Sequence, residues 1–123
     1  LQPQGREVPM DQGTQPKVKA AVQSLLKTAA RAHLWHLGTK SYAQHVALGE
    51  LYEYLHDAAD KLAESSMGDG LTMEAPKIPD VLKELDGICK ELRAIPGEPW
   101  LQNVAQEIDG EIYKYQYKLR NLS

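Results

Sequence analysis

Residues Ala32–Gly68 read AHLWHLGTKSYAQHVALGELYEYLHDAADKLAESSMG, and this stretch decides the fold. It contains all four histidines, His33, His36, His45 and His56, and a carboxylate series, Glu50, Glu53, Asp57, Asp60 and Glu64. A polar break, Gly38-Thr39-Lys40-Ser41, separates the end of one helix from the whole of the next. From Ser41 to Met67, Leu48, Leu51, Tyr52, Leu55, Ala59 and Leu62 recur at steps of three and four, which is one face of a helix. At about 100° per residue, His45, Gly49, Glu53, His56, Asp60 and Glu64 form a second stripe bordering that face. Glu50, Asp57 and Lys61 take the outside. A border stripe of imidazoles and carboxylates is where a metal shared between two packed helices or two subunits would sit. The plainer reading stands beside it, because half-wet border positions often carry His and Glu with no ligand at all.

Upstream, a helix is expected from Pro16 to Leu37, with Pro suited to the first turn. Its seam is Val18, Val22, Leu25, Ala29, Ala32 and His36, with His33 alongside. A histidine in a core seam must find partners for its ring nitrogens, whether a carbonyl, a carboxylate or a metal. The short break after it makes the first two helices an antiparallel hairpin. Downstream, residues 69–77 lack a period and form a connection, which either crosses the length of a bundle or makes a loose turn at one end. A third helix is expected over 79–94 with the seam Val81, Leu82, Leu85, Ile88, Cys89 and Leu92. Pro96-Gly97-Glu98-Pro99 breaks it, and a fourth runs over 99–119 with the seam Leu101, Val104, Ile108, Ile112, Tyr115 and Leu119. The spacing thus predicts an all-α four-helix bundle over residues 16–121, with helices at 16–37, 41–67, 79–94 and 99–119. Residues 1–15 are rich in Gln, Gly and Pro and read as a flexible arm, within which Met10 is a candidate native start.

With 123 residues, 42% hydrophobic and 25% charged, the chain has the composition of one soluble domain. No apolar run reaches membrane-spanning length and no signal-peptide pattern opens the sequence, so neither a membrane nor secretion is expected. The single cysteine, Cys89, lies in an apolar helical pattern, reads as a buried inert thiol and suits a reducing compartment. A net charge of −3 argues against a DNA-seeking surface. There is no nucleophile elbow, P-loop or zinc-type cysteine pair.

Bundles of this kind hold paired metals with inward carboxylates and Glu-x-x-His motifs. One such motif is present, Glu53-Tyr54-Leu55-His56, but helix four has no histidine to complete a central two-metal site. The order His36, a loop with Lys40-Ser41, His45 and then Asp60-Lys-Leu-Ala-Glu64 resembles the miniferritin (Dps, starved-cell DNA-protection) family of ferritin-like proteins. His45, Asp60 and Glu64 match the family spacing without gaps. His36 matches with a loop three residues shorter, or His33 takes its place without a gap. The family's aspartate one turn after the second histidine falls at Gly49, and its tryptophan after the first histidine at Leu37. The chain is closer still to small Dps-like proteins of tailed bacteriophages, through Thr39-Lys-Ser-Tyr-Ala-Gln-His45, Asp60–Glu64 and the closing helix from Leu101 to Ile112.

The resemblance implies a ferritin-like homo-oligomer, a dimer or larger assembly, in the host cytoplasm or the phage virion. It implies a ferroxidase-type site between subunits, with His36 (or His33) and His45 from one chain and Asp60 and Glu64 from the other. Iron is the expected metal and Fe(II) oxidation by peroxide or oxygen the expected reaction, with another divalent ion as the substitute. Glu53 and His56 are secondary candidates, since they match nothing in the miniferritin site. The competing expectation, from a different class, is a non-catalytic phage virion or host-interaction bundle in which the histidines are hydrogen-bonded structural groups.

Overall fold

The computed structural model describes residues 10–122, and residues 1–9 of the expected arm lie outside that range. Among the described residues the chain is all-α, with four helices and no strand. The helices are α1 (Gln15–Gly38), α2 (Tyr42–Met67), α3 (Ile78–Arg93) and α4 (Pro99–Asn121). Each start and stop has a local cause. Proline sits in the first turn of α1, α3 and α4, where its missing N–H costs no helical bond. Ser41 caps α2 by accepting from the Gln44 N–H. Asp80 opens α3 and Lys90 and Arg93 close it, while Lys118 and Arg120 close α4, all matching the helix dipole. Residues 10–14, expected to belong to a structureless arm, carry a turn: Asp11 accepts from Gly13 and Thr14, and the Met10 N–H donates to the Asp69 carbonyl.

The chain divides at Met73/Glu74 into two compact units, each a helical hairpin. In the first, α1 packs on α2. The buried positions are Val22, Ala29 and Ala32 of α1, Ala59 and Ser66 of α2, and Leu71 just beyond. Val22, Ala29, Ala32 and Ala59 belong to the seams read from the sequence, whereas Ser66 and Leu71 do not and Leu51, expected in the α2 seam, is exposed; the most enclosed members are small. Alanine at Ala29 and Ala32, both with 0% exposure, lets the two backbones approach closely. Val18, Leu25, Leu48, Tyr52, Leu55 and Leu62 flank them half-buried.

In the second unit α3 contributes Cys89 as expected, but α4 turns a different face to it. The expected seam members Val104, Ile108 and Tyr115 are exposed, and Ala105 and Gln116 are buried instead, with Leu101, Ile112 and Leu119 half-buried. The cause is polar. Gln116 donates to Asp86 of α3 at 2.7 Å, and Arg93 of α3 forks onto Asp109 of α4 at 3.1 and 3.3 Å. These pairs fix α4 about its axis and leave its Val104–Ile108 row open. Between the helices, Gly97 has φ +124, a conformation that disfavours a side chain.

Ala29→Leu should overpack the α1–α2 seam and destabilise the chain by about 1–3 kcal/mol in urea unfolding. A neutral or stabilising effect would mean that the two helices do not meet at that position.

Candidate functional site

The turn end of the first hairpin carries the chemistry. The last four carbonyls of any helix lack intrahelical donors. At the end of α1, the Thr39 N–H takes the Trp35 carbonyl at 2.9 Å. The next one, on His36, is taken by a side chain: His45 Nδ1 lies 2.8 Å from the His36 oxygen. The arrangement is reciprocal, because His36 Nδ1 lies 2.6 Å from the His45 carbonyl oxygen. A carbonyl only accepts, so both histidines carry their proton on Nδ1. An imidazole whose one proton is on Nδ1 presents Nε2 as a lone pair.

The rings stack, with centroids 3.7 Å apart and planes 22° from parallel. Tyr52 meets His36 edge-on at 5.5 Å and stacks on His33 at 4.0 Å and 8°. His45, His36, Tyr52 and His33 thus form a ladder of four rings along the α1–α2 groove. Gly49 makes room for it. A Cβ built there would sit 3.1 Å from His36 Cε1 and 3.2 Å from its Nδ1. The position at which the miniferritin pattern has an aspartate is here the floor under a histidine ring. The turn itself is braced by the Thr39 hydroxyl, which donates to Gln44 Oε1 at 2.7 Å and accepts from the Ser41 N–H at 3.2 Å.

The sequence-predicted ligands therefore divide. His36 and His45 come together, half-buried. His33 joins them through Tyr52 but is exposed. Glu53, His56, Asp60 and Glu64 are exposed on α2. Asp60 is fifteen residues along the same helix from His45, about 22 Å away. Among the described residues no three of His, Cys, Asp and Glu converge as a metal cage within one chain.

The stack also limits what the pair can bind. A ring nitrogen's lone pair lies in the ring plane. Planes that diverge by 22° from a 3.7 Å separation meet only roughly 9 Å away, several times the ~2 Å length of a metal–imidazole bond. The pair as it stands does not chelate one ion; it offers two separate Nε2 donors. The border stripe read from the sequence could not reveal this, because helical phase does not give ring orientation.

A second polar cluster, missed in the sequence, lies in the α3–α4 hairpin. The buried Cys89 thiol lies beside Asp109, which accepts the Arg93 fork. The Asp109 carboxylate beside it and burial push the thiol above its ordinary range, which keeps it protonated and unreactive as expected. The neighbouring Cys89 thiol and the Arg93 fork hold Asp109 below the usual carboxylate range. An adjoining cleft of about 240 Å³, lined by Arg93, Gln102, Gln106 and Asp109 among others, contains no nucleophile. The signal available in the sequence was the spacing of Cys89 and Arg93, one turn apart on one face.

The family profile that matches this chain spans residues 36–119, from His36 to Leu119 near the end of α4. The chain belongs to DUF5856, a family of unknown function. No curated protein and no solved structure matches it. The matched span contains His36, Gly49, His45 and Tyr52, and also Cys89, Arg93 and Asp109; of the ring ladder only His33 lies outside it.

Two predictions follow from this geometry. Alanine is favoured over glycine inside a helix by about 1 kcal/mol. Gly110→Ala, with nothing within 4 Å of the new Cβ, should gain most of that. Gly49→Ala should gain none of it, because His36 must shift, and paired urea midpoints read the difference. Separately, the depressed Asp109 carboxyl contributes stability that is present above its unfolded value. That contribution is lost as pH falls through the folded value, below the ordinary 3.8. Asp109→Asn should flatten the acid limb of a stability–pH profile, and an unchanged limb would remove the role assigned to it.

Proposed function

We propose that the chain is the subunit of a ferritin-like homo-oligomer, its helices arranged in a Dps-like four-helix bundle, that binds Fe(II) or a similar divalent ion at the histidine end of the α1–α2 hairpin. The ion takes the Nε2 of His45, His36 offers a second, separate Nε2 donor, and Asp60 and Glu64 come from a second copy. One observation carries the reading: both rings donate Nδ1–H to backbone carbonyls. Metal-bound histidines characteristically place their other nitrogen in this way, which fixes tautomer and orientation. Mixed imidazole and carboxylate donors suit iron among the divalent metals. The distance along α2 between His45 and Asp60 excludes one chain from supplying both, so the site is incomplete without its partner. Exposed Leu34, Leu37 and Tyr54, each at 68%, leave apolar surface that an assembly would bury. Fe(II) held there would be the substrate for oxidation by oxygen or peroxide; the residues of this chain bind and orient it.

A second reading is favoured by the ring stack: a non-catalytic helical module in which His36 and His45 are a structural clasp. Two lone pairs that cannot meet on one ion, and a glycine fitted to one ring, support it.

Anaerobic Fe(II) titration of the assembled protein separates the two. The metal reading expects saturable binding, weakened at least about 10-fold in His45→Ala and in Asp60→Asn. Absence of binding, or binding indifferent to both substitutions, leaves the clasp.

A further inference from the structure

The first hairpin segregates its charge by helix. Helix α1 carries Lys17, Lys19, Lys27 and Arg31 and no acid, a net of +4. Helix α2 carries five acids against Lys61, a net of −4. In contrast, α3 and α4 each mix the two signs closely, with nets of −1 and 0. The acids of α2 follow one another at steps of three and four from Glu50 to Glu64, so at about 100° per residue they make a single row. Every member of the row is exposed, as are Lys17, Lys27 and Arg31. Among the described residues no ion pair joins α1 to α2; the two pairs present lie in the α3–α4 hairpin. Neither charged face is therefore spent on the other within the hairpin. The same unit also exposes Leu34, Leu37 and Tyr54.

We propose that these two faces dock on each other between two copies of this chain, α1 of one against the acid row of α2 in the other, reciprocally about a two-fold axis. A two-fold interface must be self-complementary, and a hairpin with one basic and one acidic helix is. Charge sets register and encounter rate, while the exposed apolar side chains supply the buried core. The inference rests on the reading of the protein as a homo-oligomer and names the surface that assembles it.

The test uses metal-free full-length protein, so that its outcome is separate from iron binding. Its mass is followed by sedimentation at about 0.01 M and 1 M salt, where the screening length falls from about 30 to 3 Å. Self-association should weaken at least 10-fold across that range. Lys27→Glu with Arg31→Glu should make the chain monomeric, and so should Glu50→Lys with Asp57→Lys. An equimolar mixture of the two variants should associate again, because each then offers what the other lost. A mass insensitive to salt, or variants that do not combine although far-ultraviolet dichroism shows both folded, overturns the proposal. If either variant unfolds, the salt response of the unsubstituted protein decides alone. A chain that assembles but takes up no Fe(II) sinks only the metal reading; one that assembles and binds Fe(II) with a mass indifferent to salt sinks only this one.

Discussion

His36 and His45 each donate a ring N–H to the backbone carbonyl of the other, and the closed end of the α1–α2 hairpin depends on that exchange. Each bond is worth about 1 kcal/mol net, but breaking one leaves a half-buried polar group without its partner, which costs more than the bond contributes. The exchange also sets several local choices at once. The α1 carbonyl that would end orphaned is capped, the two helices are held in register, and both tautomers are fixed. Gly49 follows from the same constraint, since any side chain there would press on His36. Ser41 and Thr39 then hold the turn that brings the two histidines together.

Away from the clasp, the two helices within each hairpin are joined by small residues and a few polar pairs. Ala29, Ala32, Ala59 and Ala105 are among the enclosed positions, and no large side chain is fully buried among the described residues. A seam of this kind permits close approach of backbones but buries little apolar area per turn. Specificity in the second hairpin comes from Asp86–Gln116 and from Asp109 with the Arg93 fork. Each hairpin also leaves an apolar row in solvent, which is the physical ground for expecting further association.

The helices were legible because their apolar periods are long and their ends carry Pro, Ser or Gly. The seam of α1 was legible residue by residue, down to His36 lying in line with the core; in α2 most of it was, but Leu51 is exposed and Ser66 is buried instead. The face of α4 was not. Its Val104–Ile108 row has the better apolar pattern, and a buried Gln and a shielded Asp on the neighbouring row outweigh it through partners on α3 that periodicity cannot show. At the histidines, the resemblance grouped His45 with His36 or His33, and the helical period put Asp60 and Glu64 on the same helix as His45. The sequence could not indicate that the rings stack, because ring orientation is decided by which carbonyl lies within reach. The Gly49 position read as a missing ligand, whereas its role is steric.

The metal reading and the clasp reading share one premise, that both imidazoles are protonated on Nδ1 and open on Nε2. Long-range ¹H–¹⁵N correlation of the histidine rings at about pH 9, above the ordinary imidazole range, reads that premise directly. The account predicts that His36 and His45 both show the Nδ1–H tautomer, with Nε2 unprotonated. An Nε2–H signature at either ring would contradict it, because that ring's Nδ1 could not then donate to the opposite carbonyl.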